Sequence, residues 1–289
     1  MSADSASIET ARPTWSARRR RTEELRARYP FAGEVLSLYL ALVDVQEDAW
    51  SAARECPPEP SELAAWAQAR SLPGVVEATV AAGPPALREA VRSRPAEAGR
   101  GALAGWLAGA ELDPVDRYLA RASLGPVLEA LGEQAGAACR PASADEGGGV
   151  RCPCCGGRPQ LSYLMASGES LVSGRRSLAC ARCGSSWTCS RSTCPACGEV
   201  DDGQLVVHAE AWGGPVSGSG NGNGDSDGRP LFPQLRVAGC ATCRSYLIEV
   251  DMERDARAVP EVDELAALPL DLYAADQGLT KVTPNLMGF

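Results

Sequence analysis

The sequence predicts an α+β protein with an N-terminal all-α helical bundle, two tandem rubredoxin-like (zinc-ribbon) metal-binding modules and a C-terminal helix. Three observations lead to this fold class. The segment 31–140 is rich in Ala and Leu, and its apolar residues recur at helical spacing. Four Cys-x-x-Cys pairs lie between Cys152 and Cys243. Short strand-like runs flank those pairs.

The helical region is predicted from apolar spacing and from capping residues. A helix is expected from Phe31 onward, and the proline-rich segment 56–60 ends it. Asp113 is a good N-cap with Pro114 at the first helical position, and a kink is expected at Gly125-Pro126. The apolar stripes of these helices are interpreted as a core rather than as a cofactor site.

The four Cys-x-x-Cys pairs predict two metal sites. A two-residue gap lets a tight turn direct both thiolates at one tetrahedral ion, with metal–sulfur bonds of about 2.3 Å for zinc. Two such turns, or knuckles, complete one four-thiolate site. The predicted ligands of the first site are Cys152, Cys155, Cys180 and Cys183. Those of the second are Cys194, Cys197, Cys240 and Cys243. Four thiolates suit iron and zinc equally, so two ions of either metal are expected per chain.

The intervals between the knuckles indicate which of them pair. The interval from Cys197 to Cys240 is longer than the interval from Cys155 to Cys180. The longer interval contains the segment 213–230, which is almost all Gly, Ser, Asn, Asp or Pro and is interpreted as a flexible inserted loop. Without this segment the two intervals have the same length. The sequence therefore predicts a duplicated ribbon.

The other candidate residues have plainer interpretations. Cys56, Cys139 and Cys189 lack close cysteine partners and are expected to be ordinary free thiols. Cys154 lies inside the first knuckle, which leaves open an alternative choice of ligand there. His208 is the only histidine and is expected to be structural or exposed, so histidine-based catalysis is not predicted.

Charge and composition exclude several function classes. The formal net charge of −9 argues against nucleic-acid binding, although zinc ribbons often bind nucleic acids. No apolar run reaches the roughly 20 residues of a membrane span, so no membrane insertion is expected. Acidic residues follow the arginine run 18–21 where a signal sequence would be apolar. A cytoplasmic protein is therefore expected, in which cysteine pairs indicate metal rather than disulfides.

The cysteine array and the C-terminal tail together resemble the FdhE family of formate dehydrogenase accessory proteins. The residues that carry the resemblance are the knuckles, their neighbours and parts of the tail: Cys152-Pro153-x-Cys155-Gly156, Cys180-x-x-Cys183-Gly184 with Trp187 and Arg191, Cys194-x-x-Cys197-Gly198, Cys240-x-x-Cys243 with Tyr246-Leu247, Asp263-x-Leu265, Leu268-x-Leu270-Asp271, Gly278 and Asn285. The clear match covers about half the chain. Three features depart from the family pattern: Cys154, the insertion 213–230, and Leu286 in place of a proline.

The resemblance implies a cytoplasmic maturation factor that is not an enzyme. Its implied partner is the catalytic subunit of a molybdenum or tungsten formate dehydrogenase, and its implied cofactors are iron or zinc in rubredoxin-like ribbons. Trp187 and Arg191 lie between the ribbons and are candidate partner-binding residues, because Trp and Arg are enriched at binding hot spots. Packing between the ribbons is the alternative interpretation. A redox carrier, using iron or thiol exchange, stays open as a second function.

These observations divide the chain into five predicted segments. Residues 1–30 form a disordered, basic leader, and residues 31–140 form the helical domain. The first ribbon covers 150–190, and the second covers 191–252 including the loop 213–230. The C-terminal helix and tail cover 253–289, with Pro269 expected to kink that helix or split it.

Overall fold

The structure, a computed structural model, describes residues 13–139, 149–165, 174–210 and 230–288. The inserted loop predicted at 213–230 lies outside the described residues apart from Pro230. Most of the linker predicted before the first ribbon also lies outside them. The division of the chain into domains therefore stays a prediction.

Eight α-helices precede the first strand within the described residues. They are α1 (Trp15–Arg28), α2 (Gly33–Glu55), α3 (Leu63–Arg70), α4 (Leu72–Ala82), α5 (Pro85–Arg92), α6 (Ala96–Ala108), α7 (Pro114–Leu131) and α8 (Ala135–Ala138). Helix α2 ends at Glu55, immediately before the predicted proline-rich stop. Asp113 caps α7, because its carboxylate accepts hydrogen bonds from the backbone N–H groups of Val115 and Asp116.

The interpretation of residues 1–30 as a disordered leader is wrong for the part that the structure describes. Residues 15–28 form α1, and the face carrying Arg18 and Arg21 is buried. Arg21 lies 2.5 Å from Asp263 of a C-terminal helix, and Arg18 lies 2.8 Å from Glu261. Buried arginines need such partners, and removing one partner of a buried ion pair costs about 3–5 kcal/mol. The ion pairs therefore tie α1 to the end of the chain.

Helix α7 contains a Gly125-Pro126 pair, at the predicted kink. In a helix interior Gly costs about 1 kcal/mol and Pro about 3 kcal/mol relative to Ala. Pro126 has no N–H to donate to the carbonyl of Ala122. The side-chain amide of Gln46 on α2 donates to that carbonyl instead, at 3.1 Å. The carbonyl group that α7 itself leaves without a donor is therefore satisfied by a neighbouring helix.

Within the described residues, the strands of both ribbons belong to one seven-stranded sheet. The strands are β1 (Pro159–Leu164), β2 (Arg176–Cys180), β3 (Ser186–Thr188), β4 (Leu205–His208), β5 (Leu235–Cys240), β6 (Ser245–Asp251) and β7 (Thr280–Lys281). Their order is β3-β2-β1-β6-β5-β4, and β7 pairs with β6. Strands β1 and β6 are parallel and join the two ribbons, with Leu161 opposite Ile248.

The two ribbons repeat one arrangement of strands. In each, a strand follows the first knuckle, a second leads into the next knuckle and a third leaves it. The first ribbon is ordered β3-β2-β1 across the sheet, and the second continues as β6-β5-β4. This common order agrees with the duplication expected from the matched cysteine intervals.

Within the described residues the core has two clusters, which share α2 but use different residues of it. One cluster joins helices α2 to α8 to the first two knuckles, with Leu42, Leu124 and Cys155 among its members. The other packs α1, α2 and the C-terminal helices against β1, β5 and β6. The helical region and the sheet are therefore held together by shared apolar packing as well as by the ion pairs of α1.

The C-terminal segment forms two helices, α9 (Pro260–Ala266) and α10 (Leu268–Asp276). Pro269 lies at the start of α10, so of the two predicted outcomes, a kink or a split of the helix, the structure has the split. Gly278 has a positive φ of 71° and ends α10 as expected. Among the described residues, no helix is both long and apolar enough to cross a membrane.

Candidate metal centres

Each metal-site candidate is built from tight backbone turns at the ends of strands. In three of the four knuckles the residue after the second cysteine is a glycine with positive φ: Gly156 at 69°, Gly184 at 66° and Gly198 at 80°. The N–H of each donates to the carbonyl of the first cysteine, at 2.9 to 3.2 Å. A positive φ favours Gly because it has no Cβ. The turns therefore hold both thiols of a pair on one side.

The first group contains the four predicted cysteines of ribbon one. The sulfurs of Cys152 and Cys183 are 3.7 Å apart, and those of Cys155 and Cys180 are 3.4 Å apart. All four sulfurs lie within 4.8 Å of one another, and all four residues are buried. They belong to the apolar cluster that includes the helices.

The second group contains the four predicted cysteines of ribbon two. The sulfurs of Cys194 and Cys243 are 3.8 Å apart, and those of Cys197 and Cys240 are 3.9 Å apart. Cys197 and Cys243 are only half-buried. The carboxylate of Glu199 joins the two knuckles, because it accepts a hydrogen bond of 2.8 Å from the Thr242 hydroxyl.

Both groups fit a tetrahedral ion. Metal–sulfur bonds of about 2.3 Å imply a sulfur–sulfur edge of about 3.8 Å. The four measured separations of 3.4 to 3.9 Å lie near that value. A disulfide would need about 2.05 Å. Each group can therefore hold one metal ion, with every coordination position taken by sulfur.

The other cysteines do not join the two groups. Cys154 is not one of the four gathered sulfurs, although its side chain interacts with Cys183 of the first group. Its sulfur lies 3.6 Å from the carbonyl oxygen of Gly132. Cys139 is buried beside Cys155, and its interaction is the largest cause that raises the pKa of Cys155 to about 12. A bound divalent cation would offset this by stabilising thiolates.

Three further residues singled out from the sequence occupy different environments. Trp187 is 7% exposed and packs in the core, which favours the packing interpretation for this side chain. Arg191 is exposed and lines a cavity of about 210 Å³ beside Cys194 and Pro195. His208 is half-buried and its ring nitrogen lies 3.2 Å from the Tyr273 hydroxyl, outside both cysteine groups.

Comparisons with known proteins agree with this arrangement. The model of the FdhE C-terminal domain family matches residues 225–287. A curated relative, "Protein FdhE homolog" of Aquifex aeolicus strain VF5, is 30% identical over 138 residues. The crystal structure of the FdhE protein from Pseudomonas aeruginosa superposes with a TM-score of 0.62 over 96% of both chains. The chain therefore resembles FdhE proteins in sequence over part of its length. The superposition, at 21% identity, shows a common fold with that FdhE protein.

The curated FdhE relatives match over only part of their length. The matched segment covers 48% of this chain and 41% of the Aquifex protein. The FdhE homolog of Pseudomonas putida strain KT2440 is also 30% identical over 138 residues, which is 38% of its length.

The sequence did not indicate one further feature of the structure. A cavity between the helices and the sheet is lined by the buried guanidinium of Arg121 and by Gln160. Its only signal in the sequence was the Gly125-Pro126 pair in α7. That signal predicted a kink rather than a cavity.

Proposed function

We propose that this protein is a cytoplasmic accessory factor that binds the catalytic subunit of a formate dehydrogenase and is needed for that enzyme's activity or assembly. The observation that carries the proposal is the FdhE-type set of four knuckles, which the fold gathers into two four-sulfur groups. On this proposal the protein catalyses nothing itself.

The closed geometry of both groups supports a structural role for the metals. Four sulfurs fill a tetrahedral ion and leave no position for a catalytic water. The chain also contains a single histidine, and its ring contacts Tyr273. Metal-fixed turns instead hold nearby side chains rigid, which lowers the entropic cost of binding a partner.

The surface beside the second group is the proposed contact area for the client. Arg191 is exposed at a cavity that Arg176 and Arg236 also line, while Glu249 is the carboxylate in its wall. A local excess of positive charge on an acidic protein suits an acidic surface of a partner. Arg191 is the most accessible of these arginines, because Arg176 and Arg236 make ion pairs with Glu249 or Asp251.

The decisive experiment measures formate oxidation in a strain that lacks this protein. Formate dehydrogenase activity should be lost, and normal activity in that strain would contradict the proposal. Capture of the catalytic subunit on immobilised protein tests the contact directly. Arg191→Ala should weaken capture while two metal ions per chain are retained. Arg92→Ala is the matched control, because Arg92 is an exposed arginine on α5, far in sequence from the knuckles.

A redox carrier is the second candidate, and the half-burial of Cys197 and Cys243 favours it. Partly exposed thiolates can exchange electrons or thiols with a partner. The visible spectrum of freshly purified protein separates the two functions at little cost. A ferric tetrathiolate site is strongly coloured, whereas zinc is colourless. A colourless protein with two zinc ions would exclude iron-based transfer.

A further inference from the structure

The cavity lined by Arg121 and Gln160 lies between the helices and the sheet. Its volume is about 220 Å³, and its walls come from α1, α2, α7, α9, β1 and the second knuckle of the first ribbon. Most of the lining is apolar or aromatic, including Trp15, Leu161, Tyr163 and Leu265. Small-molecule pockets of about 300–1,000 Å³ are commonly found where two parts of a fold meet. This cavity is slightly smaller, which suits a small ligand.

Two residues of α7, Gly125 and Pro126, lie where this helix forms a wall of the cavity. A Cβ atom added to Gly125 would have no neighbouring atom within 4 Å, so this position faces empty space. Pro126 follows, and Gln46 compensates for its missing N–H at the carbonyl of Ala122. Both helix-disfavouring residues line the cavity, as does Gln46. A helix that served only for packing would gain stability from an alanine at position 125.

Three arginines line the cavity, and two of them, Arg18 and Arg121, differ in how their charges are balanced. Arg18 is bound by the carboxylates of Glu129 and Glu261. Arg121 is 9% exposed, and its guanidinium donates to the carbonyl oxygen of Pro284 at 2.8 Å and to the side-chain oxygen of Gln160. Within the described part of the chain, both of its hydrogen-bond acceptors are neutral.

The carboxylate that is linked to Arg121 through Gln160 already has partners of its own. Glu264 accepts from the Gln160 amide and lies 2.9 Å from the ammonium of Lys281. Burial lowers the pKa of Arg121 to about 10, so the guanidinium stays protonated at neutral pH. A buried cation with neutral acceptors is stabilised further by an anion that enters the cavity.

We propose that this cavity binds a small organic anion, a carboxylate with an apolar body, whose carboxylate pairs with Arg121. The aromatic and aliphatic walls would hold the body of the ligand, and Gly125 leaves the space for it. The cavity borders the first metal group at Cys180, but the proposed ligand pairs with Arg121 and not with the metal, and this proposal does not depend on the proposed accessory function.

The test uses the full-length, metal-loaded protein and isothermal titration calorimetry. The probes are 3-phenylpropionate and its neutral isostere, 3-phenylpropanamide. The carboxylate should bind saturably with one site per chain, and the amide should bind at least about tenfold more weakly, because a charge-assisted hydrogen bond is lost. Equal binding of the two probes, or no saturable binding of 3-phenylpropionate, would overturn the proposal.

Two variants locate the binding site. Gly125→Leu should fill the cavity and abolish binding, while helix content and metal content are unchanged, because Leu is a better helix former than Gly. Gly101→Leu on α6 is the matched control, since a Cβ there also meets no atom within 4 Å but the position is exposed and outside the cavity. Unchanged affinity in Gly125→Leu would contradict the proposal.

Arg121 is tested separately for its charge. Arg121→Met should weaken 3-phenylpropionate binding at least about tenfold and leave amide binding unchanged, and Arg121→Lys should recover part of the loss. If Arg121→Met does not fold, Gly125→Leu and the pair of probes still decide the question. Full affinity for the carboxylate in a folded Arg121→Met protein would show that Arg121 is not its partner.

Discussion

The two cysteine groups have nearly the same sulfur–sulfur separations but different surroundings. The cysteines of the first group are buried and belong to an apolar cluster that includes Leu124 and Leu128 of α7. In the second group two cysteines are half-buried, and none of the four belongs to either core cluster. The same type of Cys-x-x-Cys turn therefore lies in the core in one ribbon and partly at the surface in the other. We expect the first metal to stabilise the whole fold and the second to stabilise mainly its own ribbon.

The largest expected effect separates the two groups directly. Cys180→Ala with Cys183→Ala should remove the first metal and unfold the helical region, since a structural zinc site contributes about 10–16 kcal/mol in zinc-finger peptides. That amount equals or exceeds the total stability of a typical domain, about 5–15 kcal/mol. Circular dichroism at 222 nm and metal analysis measure both consequences.

The matched variant in the second group is Cys194→Ala with Cys197→Ala. It should lower the metal content from two ions to about one and leave most of the helical signal intact. The first site should stay loaded. Loss of both metals without unfolding would instead indicate one shared or bridged site, and the comparison between the groups would fail.

Removal of metal by a chelator should show the same contrast as a difference in rate. The second site should release its metal first, because Cys197 and Cys243 are half-buried. Release from the first site requires opening of the apolar cluster, so it should be at least about tenfold slower. A colorimetric chelator in excess would then report two phases of one equivalent each. A single phase with two equivalents would show that the sites open together.

Much of the two cysteine groups was predictable, because the sequence patterns that indicate them lie close together in the chain. The spacing within each knuckle and the matched intervals grouped the eight cysteines as the structure does. Asp113 and Pro269 likewise act on residues next to them in the chain. Asp113 caps α7 as predicted, and the C-terminal helix is split at Pro269, which was one of the two predicted outcomes. Helix α1 was not predicted, because Arg18 and Arg21 are neutralised by Glu129 and Asp263, which lie 111 and 242 residues away.

The difference between the two groups was also beyond the sequence. Each ribbon has two Cys-x-x-Cys knuckles, and the two intervals match once the segment 213–230 is left out, so the sequence suggested two equivalent sites. Which one is covered depends on where α7 packs and on the pairing of β1 with β6. Both are contacts between distant segments, and local patterns do not encode them. The cavity beside Arg121 depends on the same long-range packing.

A smaller effect is expected from glycines in the knuckles. Gly184→Ala should lower the free energy of global unfolding by about 1–2 kcal/mol, because the φ of 66° at this position is unfavourable for a residue with a Cβ. Gly198→Ala introduces the same strain at a φ of 80° in the second ribbon. There we expect faster metal release but little change in the helical unfolding transition. Urea unfolding followed at 222 nm and the chelator assay measure the two readouts, and equal shifts in global unfolding would contradict the expected independence of the second ribbon.

The smallest effect concerns the fourth knuckle, where Arg244 takes the place of the glycine. Its φ is 54°, and its side chain donates to the carbonyls of Gly278 at 3.1 Å and Gln277 at 3.2 Å. Arg244→Gly should relieve about 1–2 kcal/mol of backbone strain but lose two exposed hydrogen bonds and gain chain entropy in the unfolded state. We therefore expect a net change of about 1 kcal/mol or less.

Arg244→Ala separates these contributions, because it loses the same hydrogen bonds and keeps the strain. It should be less stable than Arg244→Gly by about 1 kcal/mol, as measured by urea unfolding together with release of the second metal. Equal stability of the two variants would show that the cost of the positive φ does not exceed the entropy that glycine adds to the unfolded chain. The contacts with Gly278 and Gln277 would then be the reason for an arginine in the fourth knuckle, since they anchor it to the end of α10.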